Sequence, residues 1–316
     1  MASAPVNKII PFSLVDGPGS RTSVFLQGCN IRCAYCHNPE TQQICCNCGI
    51  CVDGCPAKAL FVQDGRVVWD DRKCVSCDRC IKVCPHCASP RVHMLDAQEV
   101  FLRVQKNMPF IRGITVSGGE CMLYPEFLLE LFTKVKKVGL TALIDSNGTV
   151  DFSLYPELTA LCDGVMLDVK SWEPQVFSAL TGGSNEIVKS NLRYLADKDR
   201  LEEIRIVCLD GRVDAEAVIR GAAEILAEKT ALQKLKLIRF RRFGVRGSLE
   251  NAPSPTEETS RGEQSDAQPT LRPVRPSGSF LAGMDPASPV ARCYARFAGK
   301  QADGTPQNPS QENATS

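Results

Sequence analysis

Six short apolar runs, each aliphatic or β-branched, recur along the chain at Thr22–Gln27, Gly113–Ser117, Leu140–Asp145, Gly164–Val169, Glu203–Leu209 and Leu235–Phe240. Runs of this length bounded by turn residues predict strands. Between them apolar residues follow helical spacing. Phe127, Leu128, Leu131, Phe132 and Val135 make one stripe over Glu126–Val138, and the Ala-rich stretch Asp214–Glu228 carries Val218 and Ile225. Strands alternating with helices imply parallel βα units, and six of them predict an α/β fold, a partial (β/α)6 barrel of the TIM type. The polar and cysteine residues follow the strands: Cys29 the first, Gly118–Glu120 the second and Asn147 the third, while Asp168 and Lys170 close the fourth. Parallel βα barrels carry their active sites at these strand ends, so the register itself points to catalysis.

Two segments interrupt this alternation. Residues 45–87 are dense in cysteine, and Asn251–Ser316 is rich in Pro, Ser, Gln, Asn and Thr, with nine of the twenty prolines. Such a tail buries too little apolar surface to offset its chain entropy and is expected to be disordered. The predicted organisation is a barrel over 1–40 and 88–250, an insert over 41–87 and a tail over 251–316. Lys and Arg total 37 against 36 for Asp and Glu, which gives no global field for nucleic acid or an anionic membrane. No run approaches the length of a transmembrane helix, and Met1–Ile10 lacks the basic start and apolar stretch of a signal peptide, so a cytoplasmic location is expected. In that setting seventeen cysteines, most of them between Cys29 and Cys87 in tight spacings, point to metal clusters rather than disulfides.

Cys29, Cys33 and Cys36 form CxxxCxxC with no fourth cysteine in register. Thiolates are the usual ligands of a [4Fe–4S] cluster, and three of them leave one iron open to a substrate. Structural zinc prefers four closed ligands, often as two separated pairs, and this loop supplies neither. His37, adjacent to Cys36, reads better as a lining group than as a fourth ligand.

The insert holds two copies of C-x2-C-x2-C-x3-C-P: Cys45, Cys48, Cys51 and Cys55-Pro56, then Cys74, Cys77, Cys80 and Cys84-Pro85. In two-cluster ferredoxins the fourth cysteine of each run crosses to the other cluster. This assigns Cys45, Cys48, Cys51 and Cys84 to one cluster and Cys74, Cys77, Cys80 and Cys55 to the other. Closed clusters of this kind carry electrons, and the alternative role is purely structural. Cys46 and Cys87 are spare.

Among the strand-end residues, Gly118 and Gly119 permit close backbone approach, and Glu120 is an acceptor suited to an ammonium group. Asp168 and Lys170 share one side of a strand that otherwise reads apolar. Arg205 on the fifth strand suits a carboxylate ligand, or equally a salt bridge within the sheet.

The N-terminal segment Val15-Asp16-Gly17-Pro18-Gly19-Ser20-Arg21, then Phe25, Gly28 and the cysteine loop through Asn38, resembles the signature of the radical SAM (S-adenosylmethionine) glycyl-radical-enzyme activases, the family of pyruvate formate-lyase activating enzyme. Residues 7 to about 250 look most like its YjjW-type subgroup, including Ile9–Ser13 and Gly113–Glu120. The resemblance implies SAM at the triad, against Tyr35, Cys36 and His37, the Gly118-Gly119-Glu120 motif that holds the methionine amino group, Asp168, Val169 and Lys170, and Arg205. It also implies a monovalent-cation site at Asp145, Ser146, Met166 and Asp168. Related activators have a histidine where this chain has Arg241.

The function so implied is reductive cleavage of SAM at the open cluster. The 5′-deoxyadenosyl radical then takes a Cα hydrogen from a glycine of a partner glycyl-radical enzyme, here a YjjI-like protein. Three [4Fe–4S] clusters, an electron donor such as flavodoxin or ferredoxin, and a monomer that docks its partner transiently complete the expectation. Two competing readings are a radical SAM enzyme for a small molecule or peptide, and a ferredoxin-type electron-transfer subunit. The Asp16–Gly19 signature disfavours the first, and the open triad with its GGE motif disfavours the second. After Glu250 the resemblance ends, and the tail is either a natural extension or a change of reading frame.

Overall fold

The computed structural model describes residues 2–209, 211–227 and 234–252. The chain begins with β1 (Ser3–Ser13), antiparallel to β2 (Arg21–Leu26). The cysteine-rich stretch follows, with the hairpin β3 (Leu60–Gln63) and β4 (Arg66–Trp69) and one helical turn, α1 (Arg79–Lys82). β5 (His93–Asp96) then joins the outer edge of β1, and α2 (Ala97–Gln105) starts at a capping box formed by Asp96 and Glu99. The βα series continues with β6 (Gly113–Gly118), α3 (Pro125–Lys137), β7 (Thr141–Ser146), α4 (Pro156–Leu161) and β8 (Gly164–Asp168). Next come α5 (Pro174–Thr181), α6 (Glu186–Asp197), β9 (Leu201–Cys208), α7 (Ala215–Leu226) and β10 (Lys234–Arg239).

One eight-stranded sheet runs in the order β10-β9-β8-β7-β6-β2-β1-β5. Its six parallel strands, β2 and β6 to β10, are neighbours in chain order and coincide with the six apolar runs. The sheet stays open among the described residues, as a partial barrel requires. The α3 stripe of Phe127, Leu128, Leu131, Phe132 and Val135 is fully buried against it. β1 and β5 were not legible in the sequence. β1 carries Pro5 and Pro11 in a weakly alternating run and pairs with register shifts, and β5 is four residues long.

The cysteine-rich segment leaves and rejoins the barrel at an isolated bridge between Gln43 and Ala88. It buries few side chains, chiefly Cys51, Ala59, Leu60 and Ile81. From residue 253 onward the expected tail lies outside the described residues.

Candidate functional site

Arg21, though charged, is buried at the start of β2. Its Nε donates to Thr115 Oγ1 (2.8 Å) and its Nη1 to Thr141 Oγ1 (3.0 Å), which ties three adjacent strands together. The loop before it folds inward, and the Asp16 carboxylate accepts from Ser13 Oγ (2.7 Å) and Ser23 Oγ (2.6 Å). Asp16 thereby reaches the wall of a cavity of about 320 Å3 to which β2 and β6–β10 all contribute residues.

Cys29, Cys33 and Cys36 open into that cavity from the loop after β2. The loop is pinned on two sides: Cys29 N donates to Gln42 O (2.9 Å), while Arg32 N and Ala34 N donate to Thr181 O and Leu180 O at the end of α5 (2.8 Å each). Asn147 Nδ2 approaches Cys29 Sγ at 3.6 Å. Burial pushes the Cys29 thiol up to about 11 and the Cys33 thiol up to about 12, and raises Cys36. Without metal the loop therefore holds neutral thiols, and ligation has to release their protons.

The second strand-end motif packs against this loop. Gly119 N donates to Leu26 O (2.9 Å) and Glu120 N to Gly28 O (2.8 Å). A side chain at Gly118 would strike the Leu26 backbone, and one at Gly119 would strike the Gly28 carbonyl. Both glycines line the cavity, whereas Glu120 lies behind its wall. The Glu120 carboxylate is fully buried and accepts from Met122 N (2.9 Å), Ser146 Oγ (2.9 Å) and Asn147 N (2.7 Å). Burial lifts its pKa to about 7 against the pull of those donors. Both oxygens are thus used inside the protein, bracing the end of β7.

The charged wall comes from β7, β8 and β9. Arg205 is clamped by Glu203 (Nε to Oε1, 2.7 Å) and Asp145 (Nη1 to Oδ2, 2.9 Å), and its Nη2 lies 3.1 Å from Met166 Sδ. Ser117 Oγ also donates to Asp145 (2.9 Å). Lys170 Nζ donates to Asp168 (2.9 Å) and stands 5.7 Å from the centre of the Tyr35 ring. Although burial opposes it, the Asp168 carboxylate beside it raises the Lys170 pKa and keeps the ammonium charged. The Tyr35 hydroxyl is buried with no hydrogen-bond partner among the described residues.

Of the residues expected at SAM, Tyr35, Cys36, His37, Gly118, Gly119, Asp168, Lys170 and Arg205 line the cavity. Val169 is buried outside it, with its N–H donated to Arg205 O (3.0 Å). Of the expected cation ligands, Asp145 and Ser146 line it and Met166 lies beneath. Arg241 does not line it, but its carbonyl meets His37 Nε2 at 2.7 Å. Gln42, Ser117 and Asn147 share the lining without having been assigned a role. Ser117 and Asn147 sit at strand ends, so the register that located Gly118 and Asp168 reaches them too.

In the insert the eight cysteines fall into two groups. Cys55, Cys74, Cys77 and Cys80 surround one void of about 20 Å3, and Cys45, Cys48, Cys51 and Cys84 another of about 10 Å3. Each group combines three cysteines of one run with the fourth of the other. The spare Cys46 lies with Cys48 and His86, their ligand atoms within 4.8 Å of one another.

A three-thiol loop beside a roomy, charged cavity at the ends of parallel strands is the arrangement of an iron–sulfur enzyme with an open site for its substrate. A family model described as a 4Fe-4S single cluster domain matches residues 15–189. The choline trimethylamine-lyase activating enzyme of Oleidesulfovibrio alaskensis is 30% identical, over 77% of this chain and 85% of that protein. The pyruvate formate-lyase-activating enzyme of Streptococcus mutans is 29% identical, over 81% and 88%. Among solved structures, QueE from Escherichia coli aligns with a TM-score of 0.44 at 18% identity, over 74% of this chain and 83% of that one. The chain belongs to the radical SAM glycyl-radical-enzyme activating family, whose members use a [4Fe–4S] cluster and SAM to install a radical on a glycyl-radical enzyme. No helix among the described residues is long and apolar enough to cross a membrane.

Proposed function

We propose that this activating enzyme carries three [4Fe–4S] clusters and binds SAM beside the triad, with its glycyl-radical partner docked at the barrel mouth. The observation that carries this reading is the cavity of about 320 Å3 that three cysteines share with Lys170 and Arg205. Cys29, Cys33 and Cys36 would hold a cluster with one open iron, which supplies the electron that breaks the S–C5′ bond of SAM. Lys170 and Arg205 offer the SAM carboxylate and ribose two charges whose positions are already fixed by Asp168, Asp145 and Glu203. Gly118 and Gly119 let the backbone approach the ligand, while Tyr35 and His37 flank it. Glu120 and Val169 serve from behind the wall, the first by bracing Ser146 and Asn147 and the second by anchoring β8 to β9. The burial of this wall keeps water from the reacting atoms.

A monovalent cation at Asp145, Ser146, Met166 and Asp168 is favoured by the two carboxylates, but it has to compete with Arg205 for Asp145. The insert over 41–87 holds the other two clusters on the crossed cysteine sets, a reading supported by the gathering of its eight cysteines around two voids. Its sparse core supports this, since bound clusters then supply the cohesion that apolar burial does not. We assign the protein to the cytoplasm, as a monomer that receives electrons from a flavodoxin or ferredoxin and acts on a YjjI-like enzyme.

Anaerobic reconstitution followed by dithionite and SAM tests this reading. About twelve iron per chain, four for each cluster, and release of 5′-deoxyadenosine are expected. About four iron would remove the insert clusters, and absence of 5′-deoxyadenosine would remove the SAM site.

A further inference from the structure

The two cysteine sets of the insert are related by sequence repetition, yet their surroundings differ. The void of Cys55, Cys74, Cys77 and Cys80 is also lined by Trp69 and Arg91. Trp69 Nε1 is buried and makes no hydrogen bond of good geometry among the described residues; it lies beside the Cys74 sulfur at the end of β4, its ring held against His93 with 4.8 Å between centroids. A buried N–H donor without an acceptor is costly, and it is readily explained where a sulfur-rich group fills the adjoining void. Arg91 is half-buried beside it, its Nη2 fixed by Asp78 Oδ1 at 2.6 Å. The void of Cys45, Cys48, Cys51 and Cys84 has neither feature. Its other lining is Cys46, Gly49, Ile50, Val67, Ala88 and prolines, with His86 exposed at its edge.

N–H donors aimed at cluster sulfur, and positive charge nearby, favour the reduced and more negative cluster and so raise its reduction potential. We propose that Trp69 and Arg91 are tuning residues that make the Cys55/Cys74/Cys77/Cys80 cluster the higher-potential member of the insert pair. This rests on the proposed presence of both insert clusters. Neither residue lines the triad cavity, so the effect is confined to one step of electron supply.

The test uses the full chain with Cys29, Cys33 and Cys36 replaced by alanine, so that only insert clusters contribute to the spectrum. Redox titration is followed by electron paramagnetic resonance. Trp69→Phe keeps the ring and deletes the donor; Arg91→Gln keeps much of the side chain and deletes the charge. Each is expected to lower one of the two potentials and leave the other in place. The double variant should reach at least about a tenfold loss in the reduction equilibrium, about 59 mV for one electron. His86→Ala, at the other set, should leave the higher potential unmoved. Iron content separates the two ways of failing. About eight iron in this background with both potentials unmoved, or shifted equally, overturns the tuning role alone. Little or no iron overturns the insert clusters and the tuning role together.

Discussion

The triad at the barrel mouth and the two cysteine sets of the insert offer the same ligand chemistry in opposite settings. The triad opens on about 320 Å3 of space, bordered by Lys170, Arg205 and three carboxylates. The insert sets enclose about 20 and 10 Å3. The count of cysteines in a run is therefore only half of what distinguishes the two regions. The other half is the neighbouring void and the fixed charges around it, which the barrel supplies through the ends of six parallel strands and the insert does not. Their cores differ as well. The barrel buries complete helix stripes, while the insert leaves Val62 and Val75 mostly exposed.

The sharpest way to break this contrast is to remove one thiol from each region. Cys33→Ala is expected to abolish 5′-deoxyadenosine formation with dithionite as reductant, because the open-iron cluster is lost. Cys77→Ala should retain it, since a small chemical reductant can reach the triad without the insert. Equal loss in both, measured by chromatography of the product, would erase the distinction.

A smaller effect concerns the packing under the triad. Gly119→Ala forces a Cβ into the Gly28 carbonyl, at a cost of about 1–3 kcal/mol. It should lower iron bound at the triad while leaving the insert loaded, as read by Mössbauer spectroscopy. Glu120→Gln should lower the stability of SAM-free protein by about 2 kcal/mol in denaturant titration, because only one acceptor oxygen remains for three donors. An unchanged midpoint would return Glu120 to a purely ligand-facing role.

The smallest expected effect is in loading. Burial raises all three triad thiols, to about 11 at Cys29 and about 12 at Cys33. In the insert burial also raises Cys45, Cys80 and Cys51, the last to about 11, whereas at Cys74 burial is outweighed by the Ser76 N–H, Trp69 and Arg91, which hold that thiol below its ordinary value. A raised thiol gives up its proton less readily, so lowering the pH of reconstitution from about 8 to about 6 should slow triad loading more than loading of the set that holds Cys74. Iron uptake in a Cys33→Ala/Cys48→Ala chain would report the Cys74 set, and in a Cys48→Ala/Cys77→Ala chain the triad.

Much of this was legible in the sequence because it is periodic or local. The six parallel strands follow from apolar runs, and the triad and the doubled ferredoxin spacing are visible as written. Features that depend on long-range pairing were not. β5 is too short to carry a pattern, and Pro5 and Pro11 conceal β1. The positions of Glu120 and Val169 behind the wall depend on how β6, β7, β8 and β9 meet, which residue type cannot reveal. Glu120 was recognised from its motif, but its contacts with Ser146 and Asn147, some 26 residues away, exist only in the fold. Trp69 and Arg91 gave no signal at all, since neither belongs to a cysteine motif.

The central claim is that the open triad generates a radical which takes hydrogen from a glycine of a partner protein. It is tested most directly with a partner glycyl-radical enzyme labelled with deuterium at glycine Cα, incubated anaerobically with the reduced enzyme and SAM. The account predicts a glycyl radical signal on the partner and deuterium in the 5′-deoxyadenosine formed. Production of 5′-deoxyadenosine without deuterium, and with no radical on the partner, would contradict it.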